Sequence, residues 1–167
     1  MLNTSTEVLI RPTTRVFCSY RAAVAEYQAE GKYPDFDGLE LSTLENMEHH
    51  VKQVRAEWGG PNAHLWWFVS GNEYLGRISL RGLSEATVPT SGQLGYDVRP
   101  GRRGRGHATH MVAALLPLAA ELGMAEIITR VHRTNHASRR VHEANGAVCL
   151  GDGSEWLRYR LPTGPRI

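Results

Sequence analysis

Apolar positions along the chain change period twice, and those changes mark its elements. The run from Val8 to Ile10 reads as a strand, closed by Pro12. Thr13 and Thr14 then offer caps, and Phe17, Tyr20, Val24 and Tyr27 share one helical face up to Gly31. Ser42-Thr43-Leu44-Glu45 has the form of a capping box, in which the Ser42 hydroxyl and the Glu45 carboxylate satisfy each other's free backbone N–H groups. Leu44, Met47, Val51, Val54 and Trp58 continue as one apolar stripe, stopped by Gly59-Gly60-Pro61.

From Leu65 the period shortens. Leu65 to Val69 is an unbroken apolar run, Ser70-Gly71-Asn72 is a turn, and Tyr74, Gly76, Ile78 and Leu80 alternate with Leu75, Arg77, Ser79 and Arg81, which predicts a hairpin. Ser84 to Ser91 is a polar loop, after which Leu94, Tyr96 and Val98 alternate with Gln93, Gly95 and Asp97 as a third strand before Pro100. The helical period returns at Ala108, Met111, Val112, Leu115, Leu116, Ala119 and Leu122, closed by Gly123. Pro117 removes one backbone bond there at about 3 kcal/mol, so a kink or break is expected. A β-branched strand over Glu126 to Val131, a short helix capped by Asn135 and ending at Asn145-Gly146, and strands near Val148 to Leu150 and Trp156 to Leu161 complete the order. Trp58, Trp66 and Trp67 lie in apolar runs that need burying, which argues against an exposed stacking platform.

The chain has 167 residues, the size of one domain spanning 1–167 with a full core. No apolar run approaches the roughly 18–20 residues that span a bilayer, and the start lacks a signal-peptide pattern, so a cytoplasmic protein without a membrane partner is expected. Cys18 and Cys149 read as reduced thiols.

The net charge of +2 conceals strong polarisation. Glu26, Glu30, Asp35, Asp37, Glu40, Glu45 and Glu48 stand against Lys32 alone, seven acids to one base, a balance of −6. Arg99, Arg102, Arg103 and Arg105 form a run without an acid, as do Arg130, Arg133, Arg139 and Arg140. This asymmetry suggests a cationic ligand near the first half and a polyanionic one near the second, although each run also reads as a solvated face. A nucleic-acid-binding module is the alternative from a different class, but exposed aromatic interleaving is missing and the acidic half would repel a phosphate backbone.

Arg103-Gly104-Arg105-Gly106-His107-Ala108 sits between the third strand and the long helix. Glycines at a helix mouth allow close backbone approach, the first-turn N–H groups lack internal partners, and the helix dipole favours an anion, so this loop suits phosphate. Arginine adds charge-assisted bonds to the same group. The spacing matches neither G-x-x-x-x-G-K-[ST] nor G-x-G-x-x-G, which argues against a nucleotide hydrolase or a dehydrogenase.

Residues 94–109 resemble the acetyl-CoA-binding signature of GNAT acetyltransferases, [QR]-x-x-G-x-[GA], with Arg103, Gly106 and Ala108 in the fixed places. Asn135, Ser138 and Gly146 resemble the family's N-x-x-[AS] helix ending in glycine, and the element order agrees across nearly the whole chain. The resemblance implies a GNAT-like α/β fold with a central mixed sheet flanked by helices. It implies acetyl-CoA as co-substrate and no metal, with Arg103, Gly104, Arg105, Gly106, His107 and Ala108 holding the pyrophosphate. It also implies that the strand at Val98 splays from the strand at Ile127 to Val131, with pantetheine bonding free backbone groups near Val98. Asn135 and Ser138 would meet the pantetheine or thioester end, and Arg139 and Arg140 would reach phosphate or form a solvated face.

Acyl transfer to an amine needs a base, donors for the carbonyl oxygen and an acid for the leaving thiolate. His142 stands where many family members place a tyrosine, seven residues after the motif asparagine, and is the candidate acid; packing beside the cofactor is the other reading. Tyr96 is a further catalytic candidate, although it alternates with core positions. Asp97, Glu73 and the acidic segment are candidate bases. His107 and His110 lie at i, i+3, but spacing places no third metal ligand near them. The expected reaction is acetyl transfer to a primary amine of a small cationic molecule, with Asp35 and Asp37 in the acceptor site; transfer to a protein N-terminus or lysine is the alternative. No nucleic-acid partner is expected, and a homodimer is left open.

Overall fold

Leu65 to Val69 is apolar without alternation because its strand is covered on both faces. The computed structural model describes residues 6–84, 92–152 and 155–164. Strands β1 (Glu7–Ile10), β2 (Ala63–Ser70), β3 (Glu73–Arg81) and β4 (Leu94–Val98) form one antiparallel sheet in that order. Leu65, Trp67 and Val69 pack with Tyr20, Val24 and Tyr27 of α1 (Phe17–Glu30) and Met47 and Val51 of α2 (Leu44–Glu57). Phe68, on the other face, joins Ile78 and Leu80 of β3 and Met111, Val112 and Leu115 of α3 (His107–Glu121). Trp67 is 1% exposed and stacks on Tyr20 with centroids 4.2 Å apart, as a core tryptophan should.

A second antiparallel sheet has the order β5 (Glu126–His132), β7 (Trp156–Pro162), β6 (Val148–Asp152), with α4 (His136–Ala144) between β5 and β6 in the chain. This is the α/β class expected from the sequence, but in place of one mixed sheet the described strands form two antiparallel sheets, which part between β4 and β5. The halves meet at Gly92, which bridges Thr129, and at Gln93. Gln93 is 5% exposed. Its N–H donates to the Ile128 carbonyl (2.7 Å), its side-chain oxygen accepts from the Ile128 N–H (2.7 Å), and its side-chain nitrogen donates to the Gly82 carbonyl (2.7 Å). Gly92 allows the approach: it holds φ +90°, and a Cβ there would sit 2.8 Å from Thr129 Cα.

Two local expectations are corrected. The capping box of α2 is Thr43 with Asn46, one residue beyond Ser42 and Glu45, because the Asn46 side chain accepts from the Thr43 N–H (3.2 Å) while Thr43 Oγ1 accepts from the Asn46 N–H (3.2 Å). Helix α3 runs through Pro117 without a break. Pro117 and Ala113, whose carbonyl loses its partner, are both exposed, so water takes the orphaned group. Cys18 and Cys149 are free. No helix among the described residues is long and apolar enough to cross a membrane. The polar loop expected over Ser84 to Ser91 lies, beyond Ser84, outside the described residues.

Gly92→Ala is expected to lower the free energy of urea unfolding by about 1–3 kcal/mol, since both backbone strain and the clash with β5 must be relieved. Gly31→Ala, also at positive φ but with nothing within 4 Å, is expected to cost about 1 kcal/mol. Equal losses would show that the close approach at the sheet junction carries no weight.

Candidate active site

Beyond Gln93, β4 and β5 diverge around a cleft of ≈ 550 Å³. Residues 95, 97 and 99 of the β4 segment face β3 in the hydrogen-bonded register, as the Arg99 N–H to Leu75 carbonyl bond (2.8 Å) shows. The alternation of an antiparallel ladder therefore turns the backbone groups of Leu94, Tyr96 and Val98 toward β5 and the cleft. The far wall is α4, and the floor is the N-terminus of α3, which starts after Gly104 and Gly106 at φ +75° and +83°. The first helical bond runs from the His110 N–H to the Gly106 carbonyl (3.1 Å), which leaves the N–H groups of His107, Ala108 and Thr109 without intrahelical partners.

Of the residues expected to hold the cofactor, Val98, Arg103, Gly104, Gly106, His107, Ala108, Asn135 and Ser138 line this cleft. Arg105 and Arg139 do not: Arg105 is exposed beside the loop, Arg139 turns back toward the Arg133 carbonyl (3.4 Å), and Arg140 lines the cleft one position on. Asn135 caps α4 by accepting from the Ser138 N–H (3.1 Å). His107 and His110 each direct Nδ1 at one oxygen of Glu7 (2.6 and 2.8 Å), tying β1 to the first turn of α3. No cluster of three metal-ligating side chains occurs among the described residues.

The two oppositely charged runs meet in space at two ion pairs. Glu26 accepts from the Arg99 guanidinium (2.9 and 2.7 Å) and the Gly101 N–H (2.8 Å). Arg103 donates to Glu30 (2.7 Å), the Tyr33 hydroxyl (2.7 Å) and the Val98 carbonyl (3.1 Å). Arg102 pairs with Glu73, and Arg77 with Asp35 (3.0 Å). Glu26 and Glu30 of the acidic segment and Arg99 and Arg103 of the first arginine run are therefore partners of one another, whereas Asp37, Glu40, Glu45, Glu48 and Arg105 are exposed and take no part in these pairs.

The catalytic candidates fall on opposite faces of β4. The Tyr96 hydroxyl lies 2.7 Å from Ser138 Oγ and 3.4 Å from His142 Nδ1, on the cleft side. Burial pushes its pKa up to about 12, against a smaller opposing effect of the Ser138 hydrogen bond. His142 is 1% exposed, and its Nδ1–H donates to the Ser138 carbonyl (2.8 Å). Burial lowers its pKa, so the ring is neutral near neutral pH and its one proton is committed to the helix backbone. That geometry opposes the expected role of His142 as the acid. Asp97 faces α1, where the Tyr27 hydroxyl and Arg77 Nε occupy its two oxygens. Glu73 is held by Arg102. Neither carboxylate is presented as a free base.

A second cavity, ≈ 170 Å³, lies against the α1/α2 face of β3 and β4 and shares Gly95, Tyr96 and Asp97 with the cleft. Asp35 lines it, clasped by Arg77; Asp37 lines neither cavity. Sequence reasoning missed Gln93, Tyr33 and Arg81 here. Their partners lie on other strands and helices, and only the polar glutamine beginning an apolar strand carried any signal.

Residues 11–148 match the acetyltransferase (GNAT) domain, and the chain belongs to the GNAT acetyltransferase family. Among solved structures, the microcin self-immunity acetyltransferase MccE with acetyl-CoA and AMP superposes with a TM-score of 0.68 at 12% identity, covering 93% of this chain and 92% of MccE. The ribosomal alpha-N-protein acetyltransferase RimL with coenzyme A gives 0.66 at 17% identity, covering 95% and 94%. The Campylobacter jejuni N-acetyltransferase PseH with acetyl coenzyme A gives 0.60 at 11%, covering 95% and 100%. The likeness at these identities is one of fold. No curated protein matches the chain by sequence.

The buried neutral His142 generates a pH prediction. The unfolded imidazole takes up a proton near pH ~6.5 whereas the folded one resists until lower pH, so the stability it supports is present above about 6.5 and is lost as pH falls. Urea unfolding of wild type and His142→Phe between pH 8 and pH 5 should show the wild type losing relative stability on acidification; a relative gain would mean that the folded ring is charged.

Proposed function

We propose that the chain is an acetyl-CoA-dependent N-acetyltransferase that transfers the acetyl group to a primary amine by direct attack, with Tyr96 as the acid for the leaving thiol. The observation that carries this reading is the cleft between β4 and β5, which combines outward-turned backbone groups at Val98 with the free N–H groups that open α3. These residues fit the donor. Main-chain N–H groups after Gly104 and Gly106 suit pyrophosphate, and Arg140 adds a cation at the same cleft. MccE and PseH, which share the fold, are described with acetyl-CoA bound.

Acetyl-CoA supplies, when bound, a thioester activated toward amines. The Val98 N–H is directed to donate to its carbonyl oxygen, a role worth about 3–4 kcal/mol for a well-aimed donor. Tyr96 holds its proton at neutral pH, as a pKa near 12 requires; once it is given to the thiolate, Ser138 Oγ at 2.7 Å donates a hydrogen bond to the phenolate until the proton released by the acylated amine returns to it through solvent. The tyrosine absent from position 142 of α4 is in this account replaced by one from β4, whose hydroxyl reaches the neighbourhood of His142. The ≈ 170 Å³ cavity across β4 suits a small amine or the first residue of a peptide. RimL acts on a protein terminus, so both acceptor kinds occur within the fold.

Gly106→Val should weaken acetyl-CoA binding at least tenfold, about 1.4 kcal/mol by calorimetry, because a β-branched residue resists φ +83° at the helix start. Unchanged affinity would remove the loop from the donor site. Tyr96→Phe should lower kcat about 10²-fold with little change in acetyl-CoA affinity. Retained kcat in Tyr96→Phe together with its loss in His142→Phe would return the acid to His142.

A further inference from the structure

The second cavity contains four charged side chains, and three of them, one arginine and two aspartates, are joined in one ion-pair cluster. Arg77 is clasped by Asp97 (2.7 Å) and Asp35 (3.0 Å), and lies over the Phe36 ring at 4.6 Å. Arg81, two register positions along the same face of β3, has no carboxylate partner among the described residues. Its guanidinium stacks near Trp58, 5.7 Å from the ring centroid, and its Nε is buried without a hydrogen bond. Its backbone is fixed as well, the Arg81 N–H donating to the Gln93 carbonyl (2.9 Å) at the sheet junction. Gly95 opposite leaves room: a side chain there would begin 3.4 Å from Arg81 Nη2 and 3.1 Å from Ser79 Oγ. The structure thus holds a positioned guanidinium, without a carboxylate partner among the described residues, in a cavity that shares Gly95 and Tyr96 of β4 with the catalytic cleft.

We propose that Arg81 is the anchor of the acceptor subsite and that the acceptor is an amine bearing a carboxylate, of amino-acid size. The inference rests on the acetyltransferase reading above and specifies its substrate class. The guanidinium lies 5.7 Å from the Trp58 ring centroid and reaches Gly95 with Nη2, and its two Nη donors match a carboxylate bidentately. With its carboxylate on Arg81, an acceptor directs its amine along Gly95 toward the stretch of β4 that lines both cavities. A cationic acceptor would compete with Arg77 for Asp97 and Asp35, the two carboxylates that line this cavity. The carboxylate belongs either to a free amino acid or to an acidic first side chain of a peptide.

The test measures CoA release and acetylated product for two matched pairs: alanine with alaninamide, and a tripeptide amide beginning with aspartate with one beginning with asparagine. Each pair is run with wild type and Arg81→Gln, so that intrinsic differences in amine reactivity cancel. The acid-to-amide ratio of kcat/KM is expected to fall at least tenfold in the variant for one pair, with acetyl-CoA affinity retained, and the pair that responds identifies the source of the carboxylate. Arg81→Lys should keep part of the preference. An unchanged ratio in both pairs overturns the subsite and leaves the acetyltransferase reading standing. Acetylation of no amine by wild type overturns that reading and the subsite with it. If Arg81→Gln fails to fold, calorimetry of CoA-saturated wild type with each pair decides: equal affinity for acid and amide in both pairs overturns the subsite.

Discussion

The geometry of the site depends on Gln93. A single residue closes one end of the gap between two sheets by using its main-chain N–H, its side-chain oxygen and its side-chain nitrogen on partners from β5 and the end of β3. Had the two strands paired along their length, the polar groups of Tyr96 and Val98 would be spent on β5. Gln93 and Gly92 limit contact to one end, and the backbone groups that a continuous sheet would consume are left facing a cleft. The same glutamine fixes Arg81 through its carbonyl, so the hinge of the donor cleft also places the cation of the second cavity.

Around that hinge, long-range ion pairs join the acceptor-side helix to the turn before α3. Glu26 and Glu30 of α1 hold Arg99, the Gly101 N–H and Arg103, across more than seventy positions of sequence. The Arg103–Glu30 pair is partly exposed and contributes little stability by itself, whereas Arg99 is buried against Glu26. Their effect here is positional: the arginine in the motif's first place braces the loop through Val98, Tyr33 and Glu30, which leaves the main-chain N–H groups that open α3 as the loop's free donors.

The elements were legible because local periodicity encodes them. The strand from Leu94 to Val98, the glycines before α3 and the Asn135 cap could be read from spacing alone, and the cleft follows from their order. What spacing cannot encode is pairing across the fold. The pairing of Glu26 and Glu30 with Arg99 and Arg103 is invisible in the spacing because the partners lie far along the chain, and Arg81 reads as an ordinary outward strand residue because its isolation depends on Asp97 being taken by Arg77. The candidate acid shifted for a similar reason: position 142 was in the expected place, but burial and the Ser138 carbonyl use up its proton, while Tyr96 arrives from another element.

Arg103 does one more thing through its bond to the Val98 carbonyl. At the wide end of the gap, β4 turns one acceptor and one donor outward, and the guanidinium covers the acceptor. An extended chain lying beside β4 as a substitute strand therefore meets an edge that favours acceptors. It can offer a carbonyl to the remaining N–H, whereas any N–H it offers in return must share the Val98 oxygen with the guanidinium. The edge of β4 is thus more donor than acceptor, a bias set by a side chain whose charge is already spent on Glu30.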